Sequence, residues 1–172
     1  MGLIVVGIDP GLTGALAFIK PEAVALEDMP TIQLPGDGLV KRRVDGKALA
    51  ELVRRHCPVG EAVAVFCEAV GTMGGRNNAV QTQGSLLRSL GAIEAVFDML
   101  RWPCTPVLPQ AWQGFYKLRG KRTETRAKGE LPAAMKIARE LYPRAADSIA
   151  RVKDHNRAEA LLVAHYGMRM VA

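Results

Sequence analysis

Residues 3–19 read LIVVGIDPGLTGALAFI, two apolar runs joined by a short turn that contains one proline and two glycines. This pattern predicts a buried strand, a tight turn and a second strand. Asp9 ends the first run, at the edge where the sheet opens. Charged side chains avoid buried strands unless something compensates them, so a metal ion is a natural partner for Asp9. The alternative is an Asx-turn, in which Asp9 accepts hydrogen bonds from the amides of its own turn.

Two further carboxylates lie in related contexts. Glu68 follows the apolar run 62–67, and Glu159 lies on a helix predicted over 154–170. Open α/β sheets place their sites at the carboxyl ends of central strands, where Asp9 and Glu68 both fall. Clustered carboxylates suit paired Mg²⁺ ions, which prefer oxygen ligands and can drive phosphoryl displacement. The alternatives are an ordinary strand-end charge for Glu68 and the border of a buried helix face for Glu159.

The start of the last helix offers two more candidates. His155 and Glu159 are four residues apart and share one helix face. Asp154 lies well round the helix from Glu159 and joins the site only if the first turn unwinds or bends inward. The alternatives are an N-cap role for Asp154 and a surface position for His155.

Length and composition favour one soluble domain. The 172 residues, 49% hydrophobic and 23% charged, are ordinary for a globular protein. The three cysteines form no C-x-x-C pair, so we expect free thiols in a reducing cytosol. We expect no signal peptide and no membrane span.

The excess positive charge lies in one segment. Residues 117–153 hold 11 Lys/Arg against 4 Asp/Glu, whereas the rest of the chain holds 12 against 13. A localised basic segment favours binding to a phosphate backbone, and a solvated basic face without a partner is the alternative.

The predicted order of elements is three strands, helix, strand, helix, strand and further helices, which indicates a mixed α/β sheet with helices on its faces. Asp45 is expected to cap a helix over 46–56. The other predicted elements are a loop over 30–46, a helix over 78–100, an edge strand over 103–108, a short helix from Pro109 and a helix over 131–141.

Four segments together resemble one family. They are GIDPGLTG at 7–14, the strand ending in Glu68, VLPQAW at 107–112 and DHNRAEALL at 154–162. This ordered set resembles the RuvC-like Holliday junction resolvases, especially the phage and prophage variants. The resemblance implies an RNase H-like α/β fold, a five-stranded mixed sheet flanked by helices on both faces, and a single nuclease domain over 1–172.

The resemblance also implies an activity. It predicts a homodimer that nicks four-way DNA junctions symmetrically with Mg²⁺ or Mn²⁺, two ions per subunit, and no small-molecule cofactor. The location would be the cytoplasm of a bacterium or of a phage-infected bacterium.

Asp9, Glu68 and Glu159 match the metal carboxylates of the family. The position three residues before the last carboxylate, where the family has a fourth ligand, is Asn156 here. The flanking Asp154 and His155 are therefore both candidates, Asp154 as a catalytic carboxylate and His155 as a metal ligand.

The resemblance and the charge pattern also predict DNA contacts. The glycine-rich loop 71–78 would touch DNA, although a plain flexible loop is the alternative. Phe115 and Tyr116 would stack on an unpaired base or pack in the core, and helix 78–100 would form the dimer interface or only bury a face. The predicted DNA-binding residues are Arg76, Asn77, Lys117, Arg119, Lys121, Arg122, Arg126 and Lys128.

Three other functions compete with junction resolution. An RNase H-like nuclease acting on other branched or hybrid nucleic acids keeps the fold and changes the substrate. A binding module that recognises branched DNA without cutting it follows if Asn156 weakens the metal site. The Asp-x-Gly-x-Thr-Gly pattern also resembles the phosphate loop of sugar kinases and actin-like ATPases, but those need two related domains and this chain is too short.

Overall fold

A five-stranded mixed sheet lies at the centre of the protein. The computed structural model describes residues 2–36, 41–70, 80–119 and 130–171, without the side chains of 80–82. The strands are β1 (Ile4–Asp9), β2 (Ala15–Ile19), β3 (Val24–Asp28), β6 (Val63–Glu68) and β7 (Cys104–Val107). Their order in the sheet is β3-β2-β1-β6-β7, and β7 lies at the edge, as predicted.

The sheet combines an antiparallel and a parallel half. β1, β2 and β3 form the antiparallel meander that the apolar runs predict. β6 then runs parallel to β1, with Ile8 opposite Cys67, and β7 runs parallel to β6. The carboxyl ends of β1 and β6 therefore meet at the same edge of the sheet.

Residues 30–46 differ from the predicted loop. They contain a separate two-stranded antiparallel sheet of β4 (Thr31–Gln33) and β5 (Arg42–Val44), in which Thr31 pairs with Val44. Strands of three residues are too short to show an alternating pattern, and the turn residues between them dominate the sequence.

The helices follow the predicted order. Helix α1 begins after Asp45, whose Oδ1 accepts hydrogen bonds of 3.1 Å from the amides of Lys47 and Ala48, as expected for an N-cap. The helices are α1 (Gly46–His56), α2 (Val80–Met99), α3 (Pro109–Phe115), α4 (Ala133–Leu141) and α5 (His155–Val171). None of the described helices is both long enough and apolar enough to cross a membrane.

Helices cover both faces of the sheet, as predicted. One face packs Val6, Ile8 and Phe18 against α1 and α2. The other packs Val5, Phe66 and their neighbours against α3, α4 and α5. Each face buries its own apolar cluster, so the sheet is an interior layer.

Helix α5 lies unusually close to β1 because small residues meet there. A methyl group on Gly7 would overlap the backbone of Ala160 and Ala164 and come 2.6 Å from the Ala164 Cβ. A methyl group on Gly167 would overlap the ring of Phe66 in the same way. The close approach places Glu159, the neighbour of Ala160, beside the end of β1.

Candidate metal centre

The ends of β1 and β6 direct two carboxylates to one face. Side chains alternate along a strand, so Asp9 shares a face with Val5, and Glu68 shares a face with Phe66. Val5 and Phe66 both pack in the apolar cluster under α5. Asp9 and Glu68 end their strands one step beyond the paired residues Ile8 and Cys67, so they lie side by side.

Glu159 joins them from α5. Asp9, Glu68 and Glu159 each offer a carboxylate oxygen, and these oxygens all lie within 4.8 Å of one another. Oxygens bound to one Mg²⁺ lie about 2.0–2.1 Å from the ion, so small side-chain movements bring this group into range. The donor set consists of hard oxygens without thiolates, which fits Mg²⁺ or Mn²⁺.

Burial and like charge act together on Asp9. Removal from solvent raises the pKa of Asp9 well above its ordinary value, and the nearby charges of Glu159 and Glu68 raise this pKa further. A cation bound beside a carboxylate with a raised pKa would stabilise its ionised form and lower the pKa again. Such shifts are concentrated at functional sites.

The turn after Asp9 does not use its carboxylate. Within the described part of the chain, no amide of the turn donates to Asp9, so the Asx-turn alternative has no support. The turn closes through its backbone, with the Gly14 amide donating to the Gly11 carbonyl at 3.2 Å. Gly11 has a φ of 139°, and a methyl group on Gly14 would overlap the Asp9 carbonyl, so both positions favour glycine.

Asp154 has a different role from the one that metal binding requires. It ends a 3-10 helix over Val152–Asp154, and its carboxylate accepts hydrogen bonds from the Arg151 amide at 2.9 Å and from the Arg151 guanidinium at 2.8 and 3.0 Å. The hydrogen bonds from Arg151 lower the pKa of Asp154 to about 2. Asp154 is not part of the group with converging carboxylates. Its carboxylate bonds back to Arg151, the N-cap of the 3-10 helix, and among the described contacts it accepts from no amide of α5, so the predicted N-cap role is not observed either.

His155 is also outside that group. Its ring is exposed, and Nδ1 lies 3.1 Å from the Val152 carbonyl, so Nδ1 donates and Nε2 is left as the atom available to a ligand.

Asn156 and Arg157 attach the start of α5 to the sheet. The Asn156 amide donates to the Thr13 carbonyl in the turn after Asp9. The Arg157 guanidinium binds both oxygens of Asp28 at 2.6 and 2.8 Å and donates to the Ser148 carbonyl at 3.2 Å. Sequence reasoning noticed Asn156 only as a departure from the family pattern. It missed Arg157, because nothing local indicates a partner 129 positions away.

Few of the predicted DNA contacts fall in the described part of the chain. Lys117 and Arg119 are exposed just after α3. The other predicted DNA-binding residues lie outside the described residues: Arg76, Asn77, Lys121, Arg122, Arg126 and Lys128.

The two aromatic residues at the end of α3 differ in how far they are buried. The Tyr116 hydroxyl donates to the Leu162 carbonyl at 3.4 Å, and its ring packs against the apolar cluster. Phe115 is 51% exposed, with its ring edge against Tyr116 and Tyr166. Tyr116 therefore packs in the core, whereas Phe115 still has an accessible face.

The described part of α2 packs in the core through one face. Ile93 and Phe97 are fully buried against the sheet, whereas Leu87 and Met99 are exposed. The core-packing role is present, and the dimer interface stays a prediction.

Comparison with known proteins identifies the fold. The chain has the fold of RuvC. T. thermophilus RuvC in complex with a Holliday junction substrate shares 17% identity with it at a TM-score of 0.55, over 98% of this chain and 96% of that one. The Thermus thermophilus RuvC structure shares 18% identity at a TM-score of 0.50, over 99% and 97%. The sequence matches no protein-family model and no curated protein. The predicted RNase H-like fold is thus confirmed.

Proposed function

We propose that this chain is a metal-dependent endonuclease that resolves four-way DNA junctions. The observation that carries the proposal is the convergence of Asp9, Glu68 and Glu159 at the sheet edge of a RuvC fold. One of the RuvC structures with this fold holds a Holliday junction substrate. The basic segment 117–153 supplies the charge that a branched phosphate backbone requires.

The three carboxylates would hold Mg²⁺ or Mn²⁺, two ions per subunit in the full site. Bound there, the metal would supply Lewis-acid stabilisation of the in-line displacement in which water adds to phosphorus and the 3′ oxygen leaves. Asp9 would fix the position of the metal, because β1 holds the backbone of Asp9 in place and α5 excludes water from one side of its carboxylate. Glu159 has one methylene more than aspartate and so reaches further from the helix.

A fourth ligand would come from His155 through Nε2. Asp154 is the weaker choice, because ligating a metal requires it to break its contacts with Arg151. We further propose that residues 1–172 form one nuclease domain, that two copies pair to make symmetric nicks, and that the protein acts in the cytoplasm of a bacterial or phage-infected cell.

The proposal is tested by nicking of a labelled synthetic four-way junction in Mg²⁺ or Mn²⁺. Wild type should make paired symmetric nicks. Asp9→Asn should lose them by on the order of 10³-fold while still binding the junction, because loss of an outer-shell partner alone costs about 10–100-fold. Asp147→Asn is the matched control, since Asp147 is exposed and lies outside the carboxylate group.

Other results would point to other functions. Faster cutting of hybrids or forks would indicate a broader nuclease, and tight junction binding without cutting would indicate a binding module. Near-normal nicking by Asp9→Asn would contradict the assignment of the site. An independent readout is thermal unfolding, in which Mg²⁺ should raise the melting temperature of wild type but not of Asp9→Asn.

A further inference from the structure

A cleft lined by three arginines lies on the face of the sheet opposite α5. It has a volume of about 60 Å³ and is formed by β5, α2 and the turn after Asp9. The sequence did not indicate it, because the short β4–β5 sheet that builds one wall was not predicted. Its lining residues are Leu12, Arg42, Arg43, Val44, Ser85, Arg88, Ser89 and Ala92.

The α2 wall is one polar stripe of a helix. Ser85, Arg88, Ser89 and Ala92 are spaced three or four residues apart, so they lie on one face. The Ser89 hydroxyl donates to the Ser85 backbone carbonyl at 2.9 Å, whereas the Ser85 hydroxyl makes no hydrogen bond with the residues that the structure describes. The stripe thus offers a hydrogen-bond donor beside a guanidinium.

The arginines have no compensating charge in the described structure. None of the three guanidinium groups forms a hydrogen bond or salt bridge with the residues that the structure describes. On α2, the positions three and four residues from Arg88 are occupied by glycine, serine and alanine, so the helix supplies no carboxylate. Across the strand pair, Arg42 faces Gln33 and Arg43 faces Ile32.

Like charges gathered without partners repel one another, and an anion removes that repulsion. Arginine presents a planar fork of donors that matches phosphate oxygens, often with two parallel hydrogen bonds. Three arginines and two serines contribute to the lining of a cleft of this size, and the ends of the arginine side chains can reach a single phosphate group at its mouth.

The cleft is close to the proposed metal centre. Leu12 lies on its wall and is three residues after Asp9, so their Cα atoms are at most about 11 Å apart, given 3.8 Å between consecutive Cα atoms. A DNA strand advances roughly 3.4 Å per phosphate along the helix axis. The cleft is therefore within reach of the same strand that presents the scissile phosphate.

We propose that the cleft formed by Arg42, Arg43, Arg88 and Ser85 binds a backbone phosphate of the nucleic acid a few nucleotides from the cut. This inference rests on the proposed function. The site would add an anchor for the strand that is separate in sequence from the basic segment 117–153.

The test is the salt dependence of DNA binding for the triple variant Arg42→Gln, Arg43→Gln, Arg88→Gln. The matched control is Arg54→Gln, Arg55→Gln, Arg101→Gln, which removes the same charge from exposed arginines outside the cleft and outside the basic segment. Affinities for a four-way junction and for plain duplex are measured without divalent metal from roughly 50 to 200 mM salt, a range over which phosphate contacts dominate affinity.

The cleft variant should bind the junction at least about tenfold more weakly at low salt. Its plot of log K against log salt should be flatter by about 1, since each phosphate contact contributes about 0.9 to the slope. The control should stay within about twofold of wild type. Equal effects of the two variants would overturn the proposal, because they would reflect net charge alone.

Two further outcomes separate the cleft from the proposed function. If wild type binds duplex as well as junction, junction specificity fails, but a flatter slope for the cleft variant on duplex still supports a phosphate site. If the cleft variant keeps the wild-type slope and changes the oligomeric state by light scattering, the arginines bind acidic side chains of a second copy, and the phosphate site is overturned. The single variant Arg43→Gln, at an exposed position, repeats the test if the triple variant does not fold.

Discussion

Two acidic regions next to the start of α5 contrast sharply. At the sheet edge, Asp9 lies with Glu68 and Glu159, and burial and like charge raise its pKa. At the entrance to the helix, Asp154 lies against Arg151, which lowers its pKa to about 2. Both regions involve residues of the DHNRAEALL segment, only five positions apart.

The difference lies in what surrounds each carboxylate. Asp154 is already compensated by a guanidinium and a backbone amide, so its charge is part of the local structure. The sheet-edge group brings three carboxylates of the same sign into a partly buried place, where burial and like charge raise the pKa of Asp9. Opposite pKa shifts therefore separate a proposed functional acid from a structural one.

The largest expected effect compares the two regions directly. Glu159→Gln should reduce junction nicking by on the order of 10³-fold, because it removes a proposed metal ligand, whereas an outer-shell loss costs only about 10–100-fold. Asp154→Asn should change nicking by less than about threefold, because Asp154 lies outside the carboxylate group and Asn keeps an oxygen that can accept from the Arg151 amide. Initial nicking rates at saturating Mn²⁺ measure both. If Asp154→Asn proves as inactive as Glu159→Gln, the division between the two regions is wrong.

The second prediction concerns how α5 is held over the sheet edge. Glycine-to-alanine changes in compatible backbone often stabilise a protein, but Gly7→Ala should destabilise this one by about 1–3 kcal/mol, the usual range for overpacking. The added methyl group overlaps the backbone of α5 and moves Glu159 away from Asp9. Urea unfolding measures the loss, and Gly91→Ala, which adds a methyl group to open space on α2, is the control. Equal stability of Gly7→Ala and wild type would show that the close approach of α5 is not required.

The smallest effect is the acid dependence of the Arg151–Asp154 pair. Because the folded pKa is lowered, this pair stabilises the protein fully above the unfolded pKa of about 3.9, and the stabilisation is lost as the pH falls toward about 2. Arg151 is 61% exposed, so solvent screens the pair and its contribution to stability is small. The melting temperature of wild type should exceed that of Asp154→Asn by less than about 4 °C at pH 6, and the difference should narrow by pH 3. If the difference in melting temperature widens as the pH falls, the Arg151–Asp154 pair does not stabilise the protein through the ionised form of Asp154.

Short-range patterns predicted most of the elements correctly. The strand–turn–strand over 3–19, the Asp45 cap and the edge position of β7 all depend on neighbours within a few residues, so the sequence carries their signals. The β4–β5 sheet was not predicted, because its strands are only three residues long. The three carboxylates at the sheet edge were named from strand ends and helix position, and the structure brings all three together.

The sequence by itself determined the candidates at the sheet edge, because a carboxylate at the end of a buried strand requires compensation wherever the chain folds. Only the tertiary structure decided which candidates meet. Glu159 reaches Asp9 because Gly7 lets α5 approach β1, and Asp154 turns to Arg151 because the chain forms a 3-10 helix before α5. The arginine cleft likewise joins β5 to α2 across more than 40 positions. Coulombic and packing energies depend on distances in space, and sequence separation does not specify those distances.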